Sequence, residues 1–287
     1  MTITDYHHFS ERPHFEDDSG WFIGDAVVAA IAHTARDSIS PLMRRAERRI
    51  AISGDLARRI GQFMPGFPVI PVRVFEAGAT IHTPTKIVPP ADGEVMRVLA
   101  LGRPRSEKGL STIVAVAQRA ERENLPIEII SLGESSPEVA TLLGSLPRVR
   151  ALGAYAQKEL TTIIARLKTH LAWFPFTQPE THSYALSDAV NFGLPVLVSG
   201  IGAAPERLIG RQSTWVVPFC GAGTDADSHF QWLKQLYLDR METPALWQPV
   251  DYLPPVVERF YPDVYLEPFS KLHWSPLHLS LHRLLHS

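Results

Sequence analysis

Residues 96–110 read MRVLALGRPRSEKGL, and this stretch decides the fold class. Its first part, Met96–Leu101, is a short apolar run typical of a buried strand. A basic loop bounded by two glycines follows, and from 110 to about 123 apolar residues recur at the spacing of an amphipathic helix. A strand, a short loop and a helix in this order are the repeating unit of an α/β sheet.

The alternation of strand and helix patterns continues along the chain to about residue 240. Further apolar runs predict strands at Ile127–Leu132, 149–152, Leu171–Phe174, 195–198 and 213–217. The segments that predict helices are 110–123, 138–143, 158–170, 183–192 and 204–209. Strands that are apolar along their whole length need helices on both faces of a parallel sheet. The sequence therefore predicts a doubly wound, Rossmann-like α/β domain over residues 94–240.

Two basic residues, Arg103 and Lys108, lie in the loop between the first strand and its helix. Open α/β sheets bind ligands at the carboxyl ends of their strands, where this loop begins. Arg can bind two phosphate oxygens at once and Lys acts as a point charge, so the two side chains suit a diphosphate. The alternative is a basic loop that meets only water, which is what we expect for Arg105.

Two acidic residues, Glu180 and Asp188, bound the run ETHSYALSD. A helix is predicted to start between them, and the free N–H groups at its start can face phosphate oxygens. The two carboxylates can accept hydrogen bonds from sugar and ribose hydroxyls on either side. The alternative is an acid that stabilises the helix N-terminus, followed by a solvated helix acid. Because the run follows a later strand, as the basic loop follows the first, we favour one shared ligand site.

These motifs resemble the C-terminal, donor-binding domain of the family 4 retaining glycosyltransferases, whose GT-B fold has two facing Rossmann-like domains. The similar segments are LGRPRSEKGL (101–110), SLGES (131–135), VRALGAYAQKEL (149–160), FPFTQPETHSYALSDAVNFGLPVLVSGIGAAPERL (174–208) and WVVPF (215–219). The run ETHSYALSDA is most similar to a bacterial exopolysaccharide-type subgroup, where E-T-Y-S-Y-T-L-S is typical. The resemblance covers residues 94–219.

The resemblance implies a role for each of the four charged residues. Arg103 and Lys108, in the loop that starts at Gly102, would contact the donor diphosphate and stabilise charge on the leaving group. Glu180 would lie near the transferred sugar and orient it rather than attack it, and Asp188 would bind the ribose. Glu180, Arg103 and Lys108 are therefore the candidate catalytic residues, and no metal and no cofactor are expected.

The remaining binding groups are also implied by the resemblance. Backbone amides of Ser183, Tyr184 and Ala185 would meet the distal phosphate, and the turn from Gly153 to Tyr155 falls where the family has its base pocket. The chain departs from the family in two places. Asp188 replaces the usual Glu and is one methylene shorter, and residues 181–183 read Thr-His-Ser where the family has Gly-Phe-Gly.

The N-terminal 90 residues are expected to form an incomplete N-terminal α/β domain on the acceptor side. Residues 1–25 resemble the middle of the subgroup's first domain, 49–62 predict its closing strand and helix, and 69–74 its last strand. His7 and His8 are expected to be surface or turn histidines. A partner chain that supplies the absent strands is one expectation. Residues 241–287 are expected to be a tail that packs back on the domains.

The predicted function is transfer of a sugar from a UDP-, GDP- or dTDP-sugar to a saccharide or lipid-linked acceptor in polysaccharide biosynthesis. Because the N-terminal domain is expected to be incomplete, three alternatives stay open. The chain is inactive alone, it is half of a split enzyme, or it is a non-catalytic remnant that only binds nucleotide sugar. An NAD-dependent oxidoreductase is disfavoured, because no G-x-G-x-x-G follows the first strand and the loop there is basic.

Composition restricts the partners and the cellular location that we expect for the chain. Hydrophobic residues make up 45% of the chain and the net charge is -2, which gives no reason to expect a nucleic-acid partner. No apolar run reaches membrane-spanning length and the start of the chain is polar, so we expect a cytoplasmic protein, with the inner membrane face as a further location. The single cysteine, Cys220, is expected to be a small buried residue.

Three charged or histidine-rich segments are expected to have no role in the site. Arginines at 44, 45, 48, 49, 58 and 59 are interpreted as a solvated helix face paired with Glu47 or Asp55, with anionic lipid as the alternative partner. Asp225 and Asp227 are placed in a loop. Histidines at 278, 282 and 286 are interpreted as a solvated face, with metal binding as the alternative.

Overall fold

The structure is a computed structural model that describes residues 2–3, 6, 15, 17, 21–28, 30, 41–71, 88–221, 225–243 and 247. The chain divides into two compact units, of which the first comprises Met1–Arg73 and Gly78–Tyr252. The second unit, with the tail histidines, lies outside the described residues, as do His7 and His8. All features below belong to the first unit.

The N-terminal part contains a small parallel sheet with the order β1-β2-β3, where β1 is Thr2–Ile3, β2 is Ile50–Ala51 and β3 is Ile70–Pro71. Helix α1, Gly54–Phe63, connects β2 to β3 and buries Leu56, Ile60 and Phe63. The strand and helix predicted over 49–62 are thus confirmed.

One of the arginines on α1 departs from the predicted solvated face. The side chain of Arg59 is only 5% exposed and pairs with Asp55 at 2.8 Å and with Asp25. Burial lowers the pKa of Arg59. The prediction of a solvated face is therefore wrong for Arg59 and right for Arg58, whose side chain is 47% exposed.

The larger sheet has six parallel strands in the order β6-β5-β4-β7-β8-β9. These strands are β4 Met96–Leu101, β5 Ile127–Leu132, β6 Val149–Gly153, β7 Leu171–Phe174, β8 Val196–Ser199 and β9 Thr214–Val217. Relabelled from the first of them, the order is 3-2-1-4-5-6, that of the doubly wound dinucleotide-binding fold. The chain reverses its direction of travel across the sheet between β4 and β7, which pair at Val98 with Leu171.

Helices cover both faces of this sheet. They are α2 Leu110–Arg122, α3 Pro137–Gly144, α4 Leu160–Leu167, α5 Tyr184–Asn191, α6 Ala203–Arg207 and α7 Asp225–Asp239. Val98 packs into the core that contains α2 and α7, while its neighbour Leu99 packs into the core that contains α4 and α5. Successive strand residues point to opposite faces, so β4 is buried on both sides. The predicted doubly wound parallel sheet is confirmed.

Helix α7 corrects the prediction that Asp225 and Asp227 lie in a loop. Asp225 is the first residue of a 15-residue helix and is fully buried. The helix packs through Phe230, Leu233 and Leu236, whose spacing of three residues is helical. Acidic residues are favoured in a first helical turn, and the exposed Asp227 fits that preference.

Cys220 is exposed, so the prediction that it is buried is wrong. It lies three positions beyond Val217, the last residue of β9, and the alternating or continuous burial that a strand imposes has ended there. Position relative to the end of the strand, rather than the apolar character of the residue, decides its exposure.

A buried polar network joins α7 to the sheet. The indole N–H of Trp173 donates to Nδ1 of His229 at 3.1 Å, and Nε2 of His229 lies 2.9 Å from the Ser199 hydroxyl and 3.5 Å from Asp225. Because an indole N–H only donates, Nδ1 must accept, and the imidazole carries its proton on Nε2. Burial lowers the pKa of His229 to about 3 and raises the pKa of Asp225 to about 7.

Candidate functional site

The loops after β4 and β7 meet at the carboxyl edge of the sheet, where the strand order reverses. This is the place at which open α/β sheets bind ligands. A Cβ on Gly109, which has a φ of 82°, would lie 1.9 Å from the carbonyl oxygen of Pro175, so only glycine fits. The hydroxyl of Thr177 donates to the Ser106 carbonyl at 2.8 Å. The two loops are therefore held against each other by their backbones.

Lys108 and Glu180, predicted from separate motifs, are in direct contact. The ammonium of Lys108 donates to Oε2 of Glu180, and the side chains are 34% and 17% exposed. The same ammonium lies 5.4 Å from the centroid of the Phe176 ring. Burial lowers the pKa of Lys108 to about 8. The pair lies at the boundary with water, where an incoming anion can reach it.

Arg103 lies on the same edge but pairs with a different acid. Its guanidinium donates to Glu134, in the loop after β5, and both side chains are more than half exposed. Sequence patterns did not single out Glu134, although it belongs to the SLGES segment. Arg105 is 54% exposed and its nearest carboxylate, on Glu107, is 3.9 Å away, in keeping with the predicted solvated position.

The N-terminus of α5 faces the loop after β4. A Cβ on Gly102 would lie 3.4 Å from the Cβ of Ala185, which brings the two segments into contact. Ser183 caps the helix through its hydroxyl, which accepts from the Leu186 amide at 3.3 Å. Within the described chain, the amide nitrogens of Tyr184 and Ala185 have no hydrogen-bond acceptor. Such free amides at a helix start are the usual binding groups for phosphate.

Ser183 has a φ of 66°, a backbone conformation that favours glycine. This is the last position of the Gly-Phe-Gly segment in the similar family, where the chain here has Thr-His-Ser. The serine is therefore held in a strained conformation.

Asp188, which lies on α5, and the residues of the predicted base pocket form a second group. Oδ1 of Asp188 accepts a hydrogen bond from the side-chain amide of Gln157 at 3.0 Å. Burial, and then the charge of Asp188, raise the pKa of Tyr155. Gly153, with a φ of 74°, accepts from the Gly133 amide at 2.9 Å. Asp188 connects this group to the N-terminus of α5, because both belong to the same helix. The sequence did not indicate Gln157 as a member of the group.

A groove of ≈960 Å³ opens next to the site, between α1 and the loops after β8 and β9. Its walls include Arg58, Gly202 and Phe219. Gly202 also touches the site, because a Cβ there would lie 2.3 Å from the Glu180 amide nitrogen. Among the residues that the structure describes, no three potential metal ligands cluster, and no helix has the length and apolarity needed to cross a bilayer.

Comparison with known proteins gives a fold but no family. No protein-family model matches the sequence, and no curated protein matches it. HepE of Anabaena, solved in complex with UDP and glucose, has a TM-score of 0.56 at 18% identity over 86% of this chain and 64% of its own. A glycosyltransferase from Rickettsia africae has a TM-score of 0.56 at 13% identity, over 75% of this chain and 59% of its own.

A third solved structure, sucrose-phosphate synthase from Thermosynechococcus elongatus, has a TM-score of 0.54 at 18% identity, over 76% of this chain and 54% of its own. The chain thus spans between half and two thirds of the length of these proteins. At such identities the likeness concerns the fold. The chain has the α/β architecture of GT-B glycosyltransferase domains.

Proposed function

We propose that the chain is a retaining glycosyltransferase of the family 4 type that binds a nucleotide-sugar donor at the edge between β4 and β7. The observation that carries the proposal is the contact of Lys108 with Glu180, on the segment that leads to the free amides at the start of α5. A cation, a carboxylate and a helix N-terminus in one place match the diphosphate and the sugar of such a donor.

The diphosphate would bind to Lys108, Arg103 and the amides of Tyr184 and Ala185. Negative charge grows on the distal phosphate as the bond to the sugar breaks, and these groups would stabilise it where it forms. All of them are provided by the polypeptide. The two side chains lie on the loop after β4 and the amides lie at the start of α5, which that loop contacts at Gly102.

Donor binding would exchange one set of ion pairs for another. Lys108 is now held by Glu180 and Arg103 by Glu134, so each cation has a carboxylate where a phosphate oxygen would bind. When phosphate replaces these carboxylates, Glu180 becomes free to accept hydrogen bonds from the hydroxyls of the transferred sugar. In this proposal Glu180 orients the sugar and is not the nucleophile.

The nucleoside would extend from the diphosphate toward β6. Asp188 would bind the ribose, helped by Gln157, which already positions its carboxylate. The turn from Gly153 to Tyr155 would contact the base. HepE, which shares the fold, was solved with UDP, which makes UDP the first nucleotide to test.

The acceptor side of the proposal rests on the resemblance of the sequence. Four features remain predictions. They are a saccharide or lipid-linked acceptor, a place in polysaccharide biosynthesis, a cytoplasmic location and a partner chain for the N-terminal part.

Calorimetry with UDP, GDP and dTDP tests the donor site, and hydrolysis of their glucose conjugates tests catalysis. We expect one nucleotide to bind and its sugar conjugate to be hydrolysed slowly. Binding without hydrolysis, also after addition of simple saccharide acceptors, would favour a non-catalytic nucleotide-sugar-binding protein. If no nucleotide and no conjugate binds, the proposal is wrong.

A further inference from the structure

We infer that the short helix α6 couples the position of α1 to the geometry of the donor site, with Glu206 and Arg207 as positioning residues. The inference takes its functional meaning from the proposed donor site. Its structural part can be tested without any nucleotide.

Glu206 binds the N-terminus of α1 across a large separation in sequence. Its Oε1 accepts from the Gly54 amide and its Oε2 from the Asp55 amide, both at 2.8 Å. These are the first two residues of α1, whose amides have no partner inside the helix. A carboxylate is also favoured at this end of a helix dipole. Glu206 thus ties α6 to the N-terminal part of the chain by two charged hydrogen bonds.

Arg207, the next residue, binds the segment that precedes α5. Its guanidinium donates to the carbonyls of His182 and Ser183, the latter at 3.0 Å, and to the Ser187 hydroxyl at 2.7 Å. Ser183 has a φ of 66°, which a residue with a side chain adopts only when its surroundings hold it there. Arg207 supplies that restraint and fixes the direction of the amides that would bind phosphate.

The start of α6 also holds Glu180. The Ala203 amide donates to the Glu180 carbonyl at 2.7 Å, and a Cβ on Gly202 would lie 2.3 Å from the Glu180 amide nitrogen. The candidate sugar-orienting residue is therefore attached to α6 through its own backbone.

The three attachments meet in a helix of five residues. A shift of α1 therefore displaces Glu206, and α6 transmits the displacement to Glu180 and to the carbonyls before α5. The groove of ≈960 Å³ is lined by Gly54, Asp55 and Glu206, so a molecule bound there would contact the same link. Through this link, occupancy of the groove would alter the geometry of the donor site.

Hydrogen exchange tests the link directly. In Glu206→Ala we expect the amides of Leu186, Ser187 and Ala203 to exchange about tenfold faster or more, because local opening of this segment becomes easier. In Glu206→Gln, which keeps one acceptor oxygen, the increase should be smaller. Unchanged protection of these three amides in Glu206→Ala would overturn the inference.

Ser53→Ala is the matched control. Ser53 caps the same helix, since its hydroxyl accepts from the Leu56 amide at 3.2 Å, but the bond does not involve α6. We expect faster exchange in α1 and no change at Leu186, Ser187 and Ala203. If Ser53→Ala and Glu206→Ala affected those amides equally, the effect would come from lost stability of α1 and not from the Glu206 bonds, and the role of Glu206 as the link would be refuted.

A second measurement reads the functional side. In Arg207→Met we expect UDP affinity to fall about tenfold, with partial recovery in Arg207→Lys. Arg211→Met is the control, because Arg211 is a buried arginine that donates to the Leu194 carbonyl at 2.6 Å, away from the proposed site. Equal losses in the two methionine variants would contradict the role of Arg207. If the wild type binds no nucleotide, the proposed function fails while the exchange result still decides the link.

Discussion

Two pairs of titratable residues in this domain have opposite environments. Lys108 and Glu180 lie at the carboxyl edge of the sheet, partly exposed and joined by an ion pair. Asp225 and His229 are fully buried on the inner face of α7, with pKa values moved to about 7 and about 3 in the directions that favour the neutral forms. A buried pair without strong charge compensation loses its charge, whereas a pair at the water boundary keeps its charge and can exchange it for that of a ligand.

The largest expected effect concerns the backbone contact that forms the edge site. In Gly109→Ala the added Cβ would meet the Pro175 carbonyl at 1.9 Å in a residue with a φ of 82°. We expect the free energy of unfolding to fall by roughly 4 kcal/mol or more, measured by urea denaturation.

Gly61→Ala provides the control, because nothing lies within 4 Å of its Cβ position in α1. That variant should gain roughly 0.5–1 kcal/mol from helix propensity. A mild effect of Gly109→Ala would show that the loops after β4 and β7 do not meet as described.

The buried pair makes a prediction about pH. Because the folded pKa of Asp225 is raised to about 7 from 3.8, the folded state binds more protons than the unfolded state between these values. The contribution of Asp225 to stability is therefore largest at acidic pH and falls as the pH rises toward 7, by up to about 4 kcal/mol in total. The pKa of His229, lowered from 6.5 to about 3, acts in the opposite direction over nearly the same range, so the wild-type protein should show little net change from this pair between about pH 4 and 6.5.

Thermal unfolding of Asp225→Asn between pH 4 and 8 checks this. The variant should lose the contribution of Asp225 but keep that of His229, so its stability should rise with pH from 4 to about 6.5, whereas Asp227→Asn, whose side chain is 71% exposed, should keep the weak pH dependence of the wild type. The same pH dependence in wild type and Asp225→Asn would show that the Asp225 carboxyl does not contribute to it.

The elements that carry the two pairs show which features of the structure could be predicted from the sequence. Strands β4, β5 and β7 were predicted to the residue because their apolar runs end abruptly at glycine, proline or polar residues. Helix α7 was missed because its first turn is polar and its apolar positions alternate with His, Gln and Lys. The placement of Lys108 and Glu180 at one edge followed from their positions after the carboxyl ends of two predicted parallel strands. Their direct contact did not, since it depends on side-chain direction.

The partners of the site residues were equally invisible in the sequence. Glu134, Gln157 and Arg207 are far from Arg103, Asp188 and Ser183 along the chain, and no spacing rule joins them. Segments that contain all three partners were recognised as similar to a known family. These contacts depend on the folded geometry, which brings a polar residue within hydrogen-bond distance of a particular atom. Sequence patterns do not contain that information.

The exchange of ion pairs predicts a gain of affinity in one variant. In Glu180→Gln the carboxylate that competes with phosphate for Lys108 is removed, so UDP should bind up to about tenfold more tightly, while hydrolysis of the sugar donor falls. Isothermal titration measures the affinity.

Glu134→Gln, which frees the more exposed Arg103, should raise UDP affinity by no more than about threefold, because surface ion pairs are weak. Weaker UDP binding by Glu180→Gln would mean that Glu180 supports the nucleotide rather than competing with it.

The smallest expected effect concerns the strained cap of α5. Ser183→Gly relieves a φ of 66° and loses a capping hydroxyl, so we expect a net gain of about 0.5 kcal/mol in stability. Ser53→Gly removes a comparable cap at a φ of -153°, where no strain exists, and should lose a few tenths of a kcal/mol. Thermal melts of both variants compare the two caps, and a loss of stability in Ser183→Gly would refute the strain.

The central claim is that Lys108 belongs to a diphosphate site, and the most direct test is the affinity for UDP of two alanine variants. Lys108 and Arg105 lie three residues apart in one loop, but only Lys108 contacts Glu180 beside the α5 N-terminus. We predict that Lys108→Ala lowers UDP affinity by at least about tenfold and that Arg105→Ala leaves it within about twofold. Equal losses in the two variants would contradict the account.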